Sequence, residues 1–217
     1  MSTVSIIIPT LNECEGIEEV LQGIPRRALK EMGYDVEVLV VDGGSTDGTL
    51  DKVRGAELCI YPGGKAEAVR KGIEKTTGEY VFLIDGDGSY PPELIAEMVG
   101  LLEEGHSMVL ASRFRGTIKK GSMGSLNKVG NRILTWLANI LYPEKITDLC
   151  TGLRGMKRDA LKDPIPGKGF QIEAGIHSAL AGKGIIEVGT VYRPRKGKSK
   201  LKTVDGLKIA WLLVIKK

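Results

Sequence analysis

The stretch Val81-Phe82-Leu83-Ile84-Asp85-Gly86-Asp87-Gly88-Ser89-Tyr90-Pro91-Pro92-Glu93 decides how the chain is read. An unbroken apolar run with no polar alternation describes a strand buried on both faces. It delivers two carboxylates, at i and i+2, into a glycine-rich turn, and a proline well placed near a helix start follows. Two hard oxygen ligands on such a turn suit Mg²⁺ or Mn²⁺, which keep positions open for water and phosphate oxygens. An ion held there would screen a diphosphate leaving group. A solvated turn is the competing reading, because Asp and Gly are what turns recruit.

Outward from this stretch the same grammar repeats. Val38-Leu39-Val40-Val41 runs into Asp42-Gly43-Gly44-Ser45-Thr46-Asp47-Gly48-Thr49, and Val4 to Ile8 runs into Pro9-Thr10-Leu11-Asn12-Glu13. Asp42 can accept hydrogen bonds from a nucleobase N–H or a ribose hydroxyl, or it can form an Asx turn; Asp47 reads as a cap. Helical spacing covers Glu15 to Met32 with a break at Pro25, then Ser45 or Thr46 through Val53, Ala66 to Lys75, and Pro92 to Leu102. Strands are expected at Val4–Ile8, Val36–Val41, Glu57–Ile60, Tyr80–Ile84 and Ser107–Ala111. Beyond these come a helix from Asn127 to Tyr142, a loop and strand around Asp148 to Met156, a helix from Phe170 to Ala181, a strand Ile185–Val191 and a last helix from Asp205. Strand–helix alternation implies an α/β, Rossmann-like, mostly parallel sheet with helices on both faces. The acidic turns then share the carboxyl edge, where open sheets bind ligands. A single domain over 1–217 is expected, with a first half (1–112) that carries the acidic turns and an elaborated second half (113–217).

Composition narrows the classes. With 217 residues and 42% hydrophobic side chains the chain can bury a core without staples. The net charge of +4 hides a split: residues 1–100 carry 9 basic and 18 acidic side chains, residues 101–217 carry 22 and 9. Such asymmetry points to a polyanionic partner, whether nucleic acid, a membrane surface or a phosphorylated substrate. Only 11 aromatics, few of them near the basic run, leave little to stack bases, so no nucleic-acid partner is expected. Cys14, Cys59 and Cys150 are scattered and predict neither disulfide nor zinc, and MSTVSIIIPTLNE is not a signal peptide, so a cytoplasmic protein is expected. The longest apolar run, Ile209–Ile215, spans roughly 10 Å as a helix against about 30 Å of hydrocarbon.

The motifs Pro9–Glu13, Val41–Thr49, Asp85-Gly86-Asp87 and Pro91-Pro92-Glu93, in that order and at those separations, resemble the inverting family 2 glycosyltransferases of the GT-A fold. Ala111-Ser112-Arg113-Phe114, Asn127–Arg132, Thr147–Arg154 and Tyr192–Leu201 extend the resemblance to the polyprenyl-phosphate branch, typified by dolichyl-phosphate mannose synthases and the archaeal dolichyl-phosphate sugar transferases of N-glycosylation. Nearly the whole chain is covered. Gly43 stands where many members have a second acid, and Ser89 where many mannose synthases have Gln.

The resemblance implies that Pro9, Thr10, Asn12, Glu13, Asp42 and Gly44 hold the nucleoside of a UDP- or GDP-sugar. Asp85, Gly86 and Asp87 would lie at the diphosphate, with Mg²⁺ or Mn²⁺ on Asp85 and Asp87. Asp87, Arg113, Asp148 and Arg195 would carry the chemistry, and Arg113, Arg132, Arg195 and Ser199 would receive the phosphate of a dolichyl or other polyprenyl acceptor. Lys65 and Arg70, after Gly63-Gly64, are secondary donor contacts; an ordinary helix start is the alternative. Asp148 is a candidate orienter of arginine or substrate, or a turn residue. A lipid phosphate, with a second pKa of about 6, hardly needs a general base at neutral pH, whereas a soluble saccharide acceptor would need one. The stripe Ile133, Leu137, Ile140 and Leu141, broadened by Leu134 and Trp136, reads as core or as an interfacial helix, as does Leu207–Ile215. Peripheral attachment to the inner membrane face follows from the interfacial reading.

Overall fold

The structure, a computed structural model, describes residues 2–198, 200 and 202–216. Seven strands form one sheet in the order β3-β2-β1-β4-β6-β5-β7. The strands are β1 (Ser2–Thr10), β2 (Tyr34–Asp42), β3 (Glu57–Ile60), β4 (Tyr80–Leu83), β5 (Met108–Ile118), β6 (Arg154–Lys157) and β7 (Ile185–Tyr192). The helices are α1 (Ile17–Gly23), α2 (Arg26–Glu31), α3 (Lys65–Lys75), α4 (Ile95–Glu103), α5 (Ser125–Leu141), α6 (Ile172–Leu180) and α7 (Thr203–Ile215). Pro25 divides the predicted first helix into α1 and α2, as its missing N–H requires.

Because β1, β2 and β4 are apolar on both sides, alternate residues feed two cores. Ile7, Leu39, Val41, Val81 and Leu83 pack toward α3, α5, α6 and α7. Ile6, Ile8, Val38, Val40 and Phe82 pack toward α1 and α4. Ile7 pairs with Leu39 on one side and Leu83 on the other, both parallel, so the chain leaves β1, β2 and β4 at the same edge. That edge gathers Thr10, Asp42 and Asp85.

The sheet is mostly parallel, as expected, while one expected helix needs correction. The sheet is parallel except at β6, which runs antiparallel to both β4 and β5; the chain returns after α5 and inserts between them. The helix expected through Val53 is only a 3₁₀ turn, Leu50–Lys52. The N–H groups of Ser45, Thr46 and Thr49 donate to side chains of Asp42, Asn12 and Asp47, which removes the donors a helix start would use. β5 is longer than expected, and its register with β7 shifts between Ser112 and Thr117. A break of this kind bends the strand and re-aims its side chains, and Arg113 lies within it.

Candidate active site

The acid of β2 is an architect of the edge. Asp42 is fully buried; its Oδ2 accepts from Thr10 Oγ1 (2.9 Å) and Ser45 Oγ (2.6 Å), and its Oδ1 from the N–H groups of Gly44 (2.9 Å) and Ser45 (2.7 Å). These four bonds use both oxygens. Of the two readings of Asp42, the Asx turn is formed here, and its carboxylate locks the β1 and β2 ends together. Asn12, at a φ of 52°, has a similar task, its Oδ1 accepting from the Thr46 N–H at 2.9 Å. Arg70 has an internal task as well. Its Nη1 donates to the carbonyls of Ile165 (3.1 Å) and Gly167 (3.0 Å), bolting α3 to the loop before α6.

The two acids after β4 are held by different cations. Asp85 Oδ1 lies 2.7 Å from Lys65 Nζ, which lies 2.7 Å from Glu173 Oε1 on the first turn of α6. Burial works to raise the Asp85 pKa, but Lys65, with Arg195 and Arg113 behind it, takes it below the usual carboxylate value. Space for its other oxygen depends on Gly152, where a Cβ would fall 2.0 Å from Asp85 Oδ2. Asp87 is buried; its Oδ1 accepts from the Ser89 N–H at 2.9 Å and its Oδ2 pairs with Arg195. The start of α1 rests on this turn: a Cβ on Gly16 would come within 2.6 Å of the Asp87 carbonyl carbon.

Residues 193–198, with Lys200 beyond them, are strapped across the acidic half. The N–H groups of Arg193 and Lys196 donate to the carbonyls of Ser89 and Asp87, both at 2.9 Å. Lys196 pairs with Glu19 at 2.6 Å, Arg193 with Glu93 at 3.3 Å, and Lys200 with Glu13. Burial raises the Glu13 pKa although Lys200 opposes it, and Glu13 Oε2 is buried with no partner among the described residues. Ser199 lies outside the described residues.

Arg113 forms a buried fork with Asp148: Nε to Oδ2 and Nη2 to Oδ1, both 2.7 Å. Asp148 also accepts from the Arg113 N–H (2.9 Å) and Asn131 Nδ2 (2.6 Å). Glu187 on β7 fixes the turn that carries it, accepting from the N–H groups of Thr147 (2.8 Å) and Asp148 (3.0 Å). The guanidinium lies over the Tyr192 ring at 5.1 Å; Tyr192 packs edge-on against Tyr90, whose hydroxyl accepts from the Gly152 N–H at 2.8 Å. The two acid turns and the arginine thus belong to one contiguous arrangement. Arg132 stands apart on the exposed side of α5, stacked on Phe114 at 5.3 Å.

The expected residues Pro9, Thr10, Glu13, Gly44, Lys65, Asp85, Gly86, Asp87, Arg113, Asp148 and Arg195 therefore line or build this edge. Glu173 was not anticipated. Its signal was present, as the sole acid in the apolar helix Ile172–Leu180, where a buried carboxylate requires a cation. Asp85 and Asp87 supply the oxygen chemistry a hard divalent ion takes, and the absence of a Cβ on Gly152 leaves room for Asp85 Oδ2. Among the described residues no cluster of three His, Cys, Asp or Glu encloses an ion. Water or substrate oxygens would complete such a shell.

Sequence and structure comparisons agree with this architecture. The chain is 32% identical over 209 residues to a dolichyl-phosphate hexose transferase of Haloferax volcanii, covering 93% of this chain and 88% of that protein. It is 36% identical over 199 residues to glycosyltransferase AglJ of the same organism, covering 88% of this chain and 63% of the relative. With a dolichol-phosphate mannosyltransferase of Pyrococcus furiosus it shares 29% identity, over 92% and 59% of the two chains. The chain thus spans about 60% of the length of these last two relatives. Glucosyl-3-phosphoglycerate synthase of Mycobacterium tuberculosis, solved with Mn²⁺, UDP and phosphoglyceric acid, superposes with a TM-score of 0.74 at 23% identity, over 99% of this chain and 77% of that one. That likeness establishes the GT-A fold. Residues 5–163 match the family described as glycosyl transferase family 2, and the chain belongs to that family.

Proposed function

We propose that this protein transfers a sugar from a nucleoside diphosphate-sugar to dolichyl or another polyprenyl phosphate, with inversion at the anomeric carbon. The observation that carries this reading is that the acids of the site are already paired: Asp85 and Glu173 with Lys65, Asp87 with Arg195, Glu13 with Lys200, and Asp148 with Arg113. Asp148, the candidate orienter of arginine or substrate, has both oxygens saturated and cannot take a proton from an alcohol. A phosphate acceptor is already anionic and needs positioning instead. Its oxygen attacks the anomeric carbon, the bond from that carbon to the diphosphate breaks, and the electron pair leaves with the nucleoside diphosphate.

Asp85 and Asp87 would hold Mg²⁺ or Mn²⁺, which when bound neutralises charge on the departing diphosphate. Arg195, with 31% of its side chain exposed beside Asp87, is placed to donate to phosphate oxygens, and Arg113 supports the same region from the other side. Names of relatives that act with dolichyl phosphate, and a neighbour solved with Mn²⁺ and UDP, support donor, metal and acceptor classes.

Peripheral membrane attachment, as part of protein N-glycosylation or another surface-glycan assembly on the cytoplasmic face, completes the proposal. α5 turns Leu134 and Ala138 into the core and leaves Leu126, Val129, Ile133, Trp136 and Ile140 exposed, at spacings of three and four. α7 packs beside it and exposes Leu207, Trp211 and Val214. α5 has no acidic residue, and Lys119, Lys120, Arg132 and Lys208 are exposed nearby along the chain. No helix among the described residues is long and apolar enough to cross a membrane.

The test is a screen of radiolabelled UDP- and GDP-sugars against a polyprenyl phosphate, a soluble saccharide and phosphoglyceric acid, each with and without EDTA. Label in a mild-acid-labile lipid product, lost with EDTA, is expected. Label confined to a soluble acceptor would overturn the lipid assignment, and full activity in EDTA the metal assignment.

A further inference from the structure

Lys65 occupies a position that needs explaining if Asp85 is to receive a divalent cation. Its ammonium sits 2.7 Å from Asp85 Oδ1 at the start of α3, with Phe170 beside it at 5.9 Å. The cavity lined by Pro9, Lys65, Asp85, Gly152, Arg154 and Glu173 measures about 10 Å³, room for about one water. The ammonium therefore has little space for retreat. A lysine with Asp85 as its sole partner would compete with an arriving ion for the carboxylate and then repel it at close range. Glu173 changes that balance. Its Oε1 is also 2.7 Å from Lys65 Nζ, from the first turn of α6, whose preceding loop is held to α3 by the Arg70 bonds to Ile165 and Gly167.

We propose that Glu173 is a positioning residue that acts through Lys65: it retains and neutralises the ammonium when Asp85 transfers from Lys65 to the divalent ion. The inference rests on the metal reading given above. Without Glu173, Lys65 has Asp85 alone, and the ion must displace a cation that has no other partner. Lys65 itself, kept in place by Glu173, then remains beside the bound ion and diphosphate as a tethered positive charge.

Titration of the purified protein with Mn²⁺ alone, following the free-ion signal by electron paramagnetic resonance, tests this without turnover. Glu173→Gln should keep the fold, checked by circular dichroism and melting, and bind Mn²⁺ at least about 10-fold more weakly than wild type. Lys65→Met should bind Mn²⁺ at least as well as wild type, and adding Glu173→Gln to it should change affinity by less than about 3-fold, because the residue acts through the lysine. Wild-type affinity in Glu173→Gln would overturn the inference, as would an equal loss in the Lys65→Met background. Failure of wild type and Lys65→Met alike to bind Mn²⁺ would instead overturn the metal reading beneath it, and the inference with it.

Discussion

The carboxylate of Asp148 closes a two-pronged pair with the Arg113 guanidinium, both bonds 2.7 Å, in a place where Asp148 has no exposed surface. Such a pair is weak evidence for stability as a whole, yet removal of one partner leaves a buried charge uncompensated, at a cost of about 3–5 kcal/mol. Asp148→Asn should therefore lower stability by that order and reduce turnover by misplacing Arg113. Because Asp148 is no base, the surviving activity should keep its pH–rate profile. Arg113→Met added to Asp148→Asn should recover part of the stability, measured by urea unfolding. A fully stable Asp148→Asn with a lost alkaline plateau would contradict the assignment and favour a soluble, base-requiring acceptor.

Arg195 is the partner of Asp87, and further contacts hold its loop to the acidic half, among them Lys196 to Glu19, Arg193 to Glu93, and the Lys196 N–H to the Asp87 carbonyl. Arg195→Ala should lower kcat by about 100-fold, the scale for losing one oriented donor at developing charge. Arg195→Lys should rescue little, since an ammonium cannot reproduce the planar fork. Steady-state rates with polyprenyl phosphate check both. An unchanged kcat in Arg195→Ala would remove it from the chemistry.

The strand ends were legible in the sequence because each apolar run stops on an acid or a polar turn, and parallel strands put such stops on one edge. What those acids do was not, since Asp42 and Asp85 look alike in sequence. One spends its oxygens on Thr10, Gly44 and Ser45, the other on a lysine brought by α3. The antiparallel β6 was hidden for a related reason: Arg154–Lys157 is a four-residue strand whose direction depends on where the chain returns, not on its own residues. The basic second half points, in sequence, to a polyanionic partner. Part of it turns inward: Arg154 is buried, donating to the carbonyls of Glu173, Leu149 and Thr151, and Arg158 donates to Gly78 and Ile73. Arg193, Lys196 and Lys200 face the acids of the first half, so the charge split holds the two halves together as well.

His177 gives a stability prediction independent of catalysis. It is fully buried on α6, edge-on to Tyr142 at 5.4 Å, and neither ring nitrogen has a partner among the described residues. Burial, reinforced by Arg154, lowers its pKa from 6.5 to about 4. Between those values the unfolded chain takes up a proton that the native state refuses, so stability falls as pH drops from 6.5 toward 4, by roughly 3 kcal/mol from this group. His177→Phe should remove that part of the slope while matching wild type at pH 8, because no hydrogen bond is lost. Urea unfolding across the window is the measurement; parallel curves for the two proteins would show that His177 does not titrate this way.

The exposed stripe of α5 and the adjoining face of α7 yield the last prediction. Trp136 and Trp211 are 64% and 67% exposed, on neighbouring helices whose other faces enter the same core. Two large rings left in water on adjacent helices make a patch of the kind that marks an interaction surface, and a lipid interface suits rings with one apolar body and one polar N–H. Trp136→Ser and Trp211→Ser should each weaken binding to phosphatidylcholine vesicles containing anionic lipid by about 2 kcal/mol, roughly 30-fold, without lowering the melting temperature. Salt should weaken the wild type and both variants in parallel, since the basic residues around the patch contribute separately from the rings. Sedimentation with vesicles reads both effects. Equal binding by wild type and the double variant would exclude this face as the membrane contact and leave the acceptor phosphate to arrive from solution.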